Sequence, residues 1–307
     1  MQSTRYRAAL VLTPAGAHRD WALTVQGDRI TALGPAGAAV PGDVDLGDVA
    51  LIPGLVDAHS HAFQRALRGR TQHLDAARPD ADFWTWREAM YRVALRLDPD
   101  EVEALARLTF LELVEAGVTA VGEFHYLHHQ PDGRPYADPN ELAHRVIRAA
   151  QAVGLRIALL RVLYHRGGYQ RPAGDAQRRF VESDVDTALA RVEALAAAWV
   201  GTRGVSVGLA PHSVRAVPGE WLAAAGAHAR ATGRVLHVHA CEQPAELAEC
   251  RAEHGAEPVA VLESLGALGP TTTLVHATWL EDGAAGRIAA ADALVCACAT
   301  TERDLGD

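Results

Sequence analysis

The sequence predicts an α/β protein in which a small β module precedes a (β/α) barrel, and three observations carry that reading. Residues 1 to about 50 alternate short β-like runs with Gly, Pro and Asp, as a small sheet requires. From Leu51 onward the pattern becomes strand, loop, helix, strand, with seven strands in one run, which favours a parallel barrel over a doubly wound sheet. Hydrophobic residues make up 49% of the 307, enough for a real core, and the length fits one large domain with an appendage or two domains. The expected division is residues 1–50 as the N-terminal part of a β-sandwich module and 51–307 as an incomplete barrel.

In the module the runs are Ala8 to Thr13, Trp21 to Val25 and Arg29 to Leu33. The barrel strands follow at Ala50 to Val56, Val118 to Phe124, Leu155 to Leu163, Val205 to Ala210, Arg234 to His239, Thr272 to His276 and Ala293 to Cys298. Helical patterns lie between them, for example Asp184 to Trp199 and Pro218 to Ala231. Two helix starts share one form, Asp98-Pro99-Asp100-Glu101 and Asp138-Pro139-Asn140-Glu141, each offering an Asp N-cap, Pro at the first helical position and a Glu beyond it. Gly117 and Gly154 stand where those helices should stop. Seven strands leave an eight-stranded barrel one short at Leu305-Gly306-Asp307.

Composition excludes several kinds of chemistry. All 29 basic residues are arginine, so Schiff bases, P-loop phosphate cradles and a carbamylated lysine bridging two metals are ruled out. A net charge of -9 disfavours nucleic acid as a partner. Four cysteines are few for this length and suit a reducing compartment, and Cys296-x-Cys298 reads as two small strand residues rather than a metal pair. No run approaches the roughly 20 apolar residues of a membrane helix. The chain is expected to be cytoplasmic, to bind no membrane and to form a homodimer.

The histidines point to the function. Of 15, seven fall at the C-terminal ends of six successive predicted strands: His59, His61, His125, His165, His212, His239 and His276. That rim is where barrels of this type build active sites. In His59-Ser60-His61, residues two apart at a strand end point the same way, so both imidazoles can converge on one ion. His128-His129 reads as a surface pair. His239 ends its strand and is the better ligand, whereas His237, one pleat deeper, reads as structural. Glu242 lies three residues on, placed to move protons without binding metal, and His276 can bind metal or act as a base.

Ile52-Pro53-Gly54-Leu55-Val56-Asp57-Ala58-His59-Ser60-His61 resembles the first-strand signature of the amidohydrolase superfamily. More narrowly, the segments starting at His59, Phe83, Glu123, His212 and Val275 resemble the formimidoylglutamate deiminase family. The resemblance, which runs from about Leu51 to Asp307, implies a TIM-like (β/α)8 barrel of the metal-dependent hydrolase type. It implies one zinc ion per subunit held by His59, His61 and His239, with Glu242 and His276 as the proton-transfer pair. It makes Gln64, Arg87, Tyr126, His212 and Arg215 contacts to a small dicarboxylate substrate, N-formimino-L-glutamate of histidine degradation, hydrolysed to N-formyl-L-glutamate and ammonia. Two planar guanidinium forks suit two carboxylates.

The resemblance also implies a fourth metal ligand, an Asp on an eighth strand. Thr300 to Asp307 resembles only the segment before that strand, so Asp304 and Asp307 are not substitutes. The expectation is a C-terminally truncated chain, unstable and nearly inactive alone. Two alternatives stand beside the deiminase reading. One is another deaminase or chlorohydrolase of the superfamily acting on a heterocycle; the other is a non-catalytic metal-binding fragment.

Overall fold

The computed structural model of the protein describes residues 3–71 and 83–306, which fall into two units, 1–55 and 56–307. Asp307 therefore lies outside the described residues. In the first unit β1 (Ser3–Thr13) and β2 (Gly16–Gln26) form a long antiparallel hairpin, with Thr13 opposite Gly16. Gly16 takes φ +126°, which an L side chain would resist. β3 (Arg29–Pro35) extends the sheet beside β2, and β4 (Val44–Asp45) and β5 (Ala50–Leu51) both pair parallel to β1.

The strand expected over residues 50–56 is thus divided. Ala50–Leu51 belongs to the small sheet, and β6 (Leu55–Ser60) starts only after Pro53-Gly54. Proline has no N–H for a ladder and glycine weakens a strand, so the run breaks there.

The second unit holds β6, β7 (Val118–His125), β8 (Arg156–Leu163), a ribbon of β9 (Arg166–Gly168) and β10 (Arg171–Pro172), then β11 (Val205–Pro211), β12 (Leu236–Ala240), β13 (Thr272–His276) and β14 (Leu294–Cys296). Apart from the ribbon, these form one sheet in the order β14-β13-β12-β11-β8-β7-β6, seven strands among the described residues. The registered pairs from β7 to β14 are parallel, and the sheet curves into a nearly closed barrel. β8 explains why its sequence is mostly apolar: Leu159, Leu160, Val162 and Leu163 are all buried, as a strand covered on both faces demands. Within that run Arg161 is also fully buried, paired with Glu182 at 2.7 Å and bonded to Asn140 Oδ1 at 2.7 Å.

Helices α1 (Phe83–Ala94), α2 (Pro99–Glu115), α3 (Glu141–Ala152), α4 (Val185–Trp199), α5 (Gly219–Thr232), α6 (Pro244–His254), α7 (Pro258–Ser264), α8 (Ala284–Ala290) and α9 (Ala299–Leu305) connect the strands. α2 starts as its sequence says: Asp98 caps Glu101 N–H while Glu101 returns the bond to Asp98 N–H. Its buried Val102, Ala106 and Phe110 recur every four residues, one apolar stripe. The second Asp-Pro start behaves differently. Asp138 accepts from Asn140 N–H, and the helix begins at Glu141 with Asn140 as its N-cap residue. Asn140 is buried there because its amide bridges Arg161 and the Arg191 carbonyl, a tertiary demand that shortens the helix. Gly117 (φ +86°) and Gly154 (φ +77°) do follow the ends of α2 and α3 in the left-handed region. Among the described residues no helix is long and apolar enough to cross a membrane.

Candidate metal centre and active site

The C-terminal ends of the barrel strands open into a cavity of about 700 Å³. Its wall includes His59 and His61 from β6 and the turn after it, His239 from β12, His276 from β13, and Glu242 from the loop after β12.

Three imidazoles converge at its floor. His61 Nδ1 lies 2.9 Å from the Phe124 carbonyl, and His239 Nδ1 lies 2.9 Å from the His212 carbonyl. A carbonyl only accepts, so each Nδ1 carries the proton and each Nε2 presents a lone pair. His59 Nε2 is 3.0 Å from His61 Nε2 and 3.2 Å from His239 Nε2. His59 can satisfy at most one of those lone pairs, so without a cation between them the cluster is electrostatically frustrated. Ligands set tetrahedrally at 2.0–2.1 Å from a zinc ion stand about 3.3 Å apart, close to the spacing seen. The buried Nδ1 of His59 meets no partner among the described residues.

Burial first, then the neighbouring histidines, hold His59 and His239 well below the ordinary imidazole range, and burial brings His61 down to about 4. All three imidazoles are thus neutral near pH 7, the form in which a ring nitrogen can donate to a metal. These residues fit a metal ion by donor type, tautomer and spacing.

His276 and Glu242 face each other across the cavity edge, Nε2 to Oε1 at 3.5 Å. The backbone there is unusual: Cys241 (φ 57°), His276 (φ 74°) and Ala277 (φ 54°) all lie in the left-handed region without being glycine. Such residues cost roughly 1–3 kcal/mol each and need their surroundings to hold them. The surroundings are visible. Glu246, buried on α6, accepts from Cys241 N–H at 3.1 Å and Glu242 N–H at 3.2 Å. Ala277 N–H donates to the Ala240 carbonyl at 3.0 Å.

The remaining predicted contacts lie on the cavity wall. Gln64 donates to Tyr126 Oη at 2.7 Å, and burial drives the Tyr126 phenol well above its usual range. The His212 ring sits 5.6 Å from that of Tyr126 and 4.8 Å from that of Tyr164. Arg87 stacks over Trp84 at 4.4 Å, and Arg215 lies 5.8 Å from the same ring. The buried Arg87 Nε has no partner among the described residues. Burial lowers the Arg87 pKa, whereas for Arg215 burial is outweighed by Tyr164, Glu246 and Glu242, which raise it.

Several expectations fail. His125 and His165 end or follow strands yet stay off the cavity. His125 is buried beside His128, their rings 5.7 Å apart, and His165 leans on Trp221 at 4.7 Å. Strand alternation explains both: the adjacent Tyr126 and Tyr164 take the inward positions. His128 and His129 are buried rather than on the surface, since Nε2 of each meets a backbone carbonyl, that of Val162 or Val181. Cys298 is not in a strand; it precedes α9, and with Cys296 it lines the cavity. His237, by contrast, is off the cavity wall, in line with its reading as a structural residue one pleat deeper.

Motif reading missed Glu123, Glu246 and Glu302. Glu123 is buried inside β7 and accepts from Ala62 N–H at 2.8 Å, and burial pushes its carboxyl up to about 8. A glutamate within an apolar strand was the available signal.

The chain is 39% identical over 301 residues to formimidoylglutamate deiminase of Pseudomonas aeruginosa, an alignment covering 98% of this chain and 65% of that one. It is 29% identical over 288 residues to a 5-methylthioadenosine/S-adenosylhomocysteine deaminase of Nitratidesulfovibrio vulgaris, covering 91% of this chain and 58% of the relative. The chain thus spans less than two thirds of the length of these relatives. A crystal structure of an amidohydrolase from Brucella melitensis superposes with a TM-score of 0.90 at 34% identity, over 99% of this chain and 66% of that one. The zinc complex of atrazine chlorohydrolase from Arthrobacter aurescens superposes with a TM-score of 0.85 at 21% identity, covering 99% and 67%, and so shares the fold. Residues 50–307 match the profile of the Amidohydrolase family, and the chain belongs to that family.

Proposed function

We propose that the chain carries the active site of a zinc-dependent formimidoylglutamate deiminase, hydrolysing N-formimino-L-glutamate to N-formyl-L-glutamate and ammonia in histidine breakdown. One observation carries the substrate class: Arg87 and Arg215, both stacked near Trp84, face a cavity whose floor is the histidine trio. Two guanidinium forks in an aromatic wall match a substrate with two carboxylates and are superfluous for a neutral heterocycle. The 39% identity to the Pseudomonas deiminase supports the same reading.

His59, His61 and His239 would hold the zinc ion, which supplies Lewis acidity and makes water a competent nucleophile near neutral pH. Arg87 and Arg215 hold the carboxylates. Gln64, Tyr126 and His212 orient the formimino group within the wall. His276 takes a proton from the attacking water as oxygen bonds to the formimino carbon. His276 passes that proton to Glu242, 3.5 Å from its Nε2, which delivers it to the imino nitrogen; the hydroxyl proton of the adduct reaches the same nitrogen through the same two groups as the C–N bond breaks, so water and amidine become amide and ammonia.

The test is ammonia release by the purified protein from N-formimino-L-glutamate and, in parallel, from 5-methylthioadenosine, before and after chelation and zinc return. Zinc-dependent turnover of the first in preference to the second, however slow, is expected. Turnover of the nucleoside alone, or undiminished activity after chelation, would overturn the reading.

A further inference from the structure

We infer that Glu302 is a positioning residue for His276, fixing the tautomer that turns the His276 Nε2 lone pair into the cavity. The inference rests on the proposed role of His276 as proton acceptor. His276 Nδ1 lies 3.2 Å from Glu302 Oε1. The same oxygen accepts from Cys298 N–H at 2.7 Å, and Glu302 N–H donates to the Cys298 carbonyl at 2.9 Å. A glutamate carboxylate oxygen only accepts, from the Cys298 N–H and from the imidazole alike, so Nδ1 carries the proton. Nε2 is then unprotonated and faces Glu242 Oε1 at 3.5 Å.

The carboxylate, the imidazole and Glu242 therefore form a line running from α9 through β13 to the loop after β12. The His276 side chain is only 4% exposed and Glu302 17%, so water does not readily replace the bond. The left-handed backbone at His276 and Ala277 gives the ring a reason to need an external anchor.

His276 Nδ1, Cys298 Sγ and a Glu302 oxygen also lie within 4.8 Å of one another, as a second metal set would. The bonds of Glu302 to His276 and to the Cys298 N–H, with Cys298 Sγ turned to the Cys296 carbonyl at 3.8 Å, account for that closeness without an ion.

The test uses zinc-loaded protein labelled with ¹⁵N-histidine. Long-range ¹H–¹⁵N spectra, with His276 assigned from a His276→Asn sample, read its tautomer directly. In the parent the proton should be on Nδ1. Glu302→Ala should shift His276 toward the Nε2–H form and lower kcat by about 10–100-fold, the usual cost of losing an orienting partner, with KM and zinc content unchanged. Glu302→Gln keeps an acceptor, so it should keep the tautomer and lose less kcat. It also keeps the question open to measurement if the alanine variant folds poorly.

An unchanged tautomer in Glu302→Ala, a tautomer shift without a fall in kcat, or loss of a second zinc equivalent would each overturn the assignment. A parent with the expected tautomer but no turnover of N-formimino-L-glutamate would instead sink the substrate reading and leave the tautomer assignment standing.

Discussion

Gly122 offers a direct test of how the barrel holds its histidines. It sits in β7 against β6, and a Cβ added there would stand 2.5 Å from the Ala58 carbonyl oxygen and 3.1 Å from its carbon. Ordinary contact begins near 3.4 Å, so Gly122→Ala must push the carbonyl back by about 0.9 Å, or move β7 by as much. The next residue is His59. Overpacking of this kind costs about 1–3 kcal/mol, a fall of roughly 2–12 °C in Tm for a domain of this size. Metal ligands tolerate only about 0.2 Å of error, so zinc affinity should drop at least about tenfold, or about 1.4 kcal/mol. Differential scanning of zinc-free protein gives the first quantity, and competition with a chelating dye gives the second. Gly286→Ala, exposed in α8 with nothing near its added Cβ, is the control and should be neutral or slightly stabilising. If Gly122→Ala matches its parent in Tm and zinc affinity, the close approach of β6 and β7 does not set the ligand geometry.

Three further outcomes follow from the same chain. Arg215→Met and Arg87→Met should each raise KM for N-formimino-L-glutamate about 10–100-fold, the worth of a charged hydrogen bond, which steady-state ammonia release will read; an unchanged KM for both would remove the dicarboxylate argument. His125 is held down to about 3 by burial, reinforced by Arg161, against an ordinary value of 6.5. Its contribution is complete above pH 6.5 and is lost as pH falls toward 3, because the unfolded chain binds the proton the folded chain refuses. Between pH 7 and 5 that is about 2 kcal/mol, so urea unfolding of His125→Gln should lose less stability over this range than the parent, and an equal loss would refute the account. Chelation should lower Tm, and zinc restored to about 100 times its Kd should return about 2.7 kcal/mol; a Tm indifferent to zinc would count against the histidine centre.

The parallel barrel was legible because buried strands such as β8 are predominantly apolar runs, a signal that survives without tertiary knowledge. The histidines showed themselves less completely. Ending a strand does not decide which way a side chain points; parity does, and at His125 and His165 the neighbouring tyrosines hold the inward places. Asn140 was hidden for another reason, since the buried Arg161 and the Arg191 carbonyl claim its side chain from distant parts of the sequence.

The three missed glutamates share one cause. Glu123 accepts from Ala62 N–H just after His61, Glu246 from Cys241 and Glu242 N–H, and Glu302 from Cys298 N–H while reaching His276. In each case a glutamate carboxyl group pins a loop that leaves a barrel strand carrying, or facing, a residue of the centre. A backbone N–H is the same whatever its side chain, so such a partner leaves no trace in motif spacing. The convergent donors are legible because they must be particular residue types at particular intervals. The groups that keep them convergent need only be acceptors within reach, and reach is a property of the fold. Left-handed, non-glycine backbone gathers at the ends of β12 and β13 for a related reason: those turns aim Glu242 and His276, and the buried Glu246 at the first and the Ala240 carbonyl at the second, rather than glycine's freedom, hold them there.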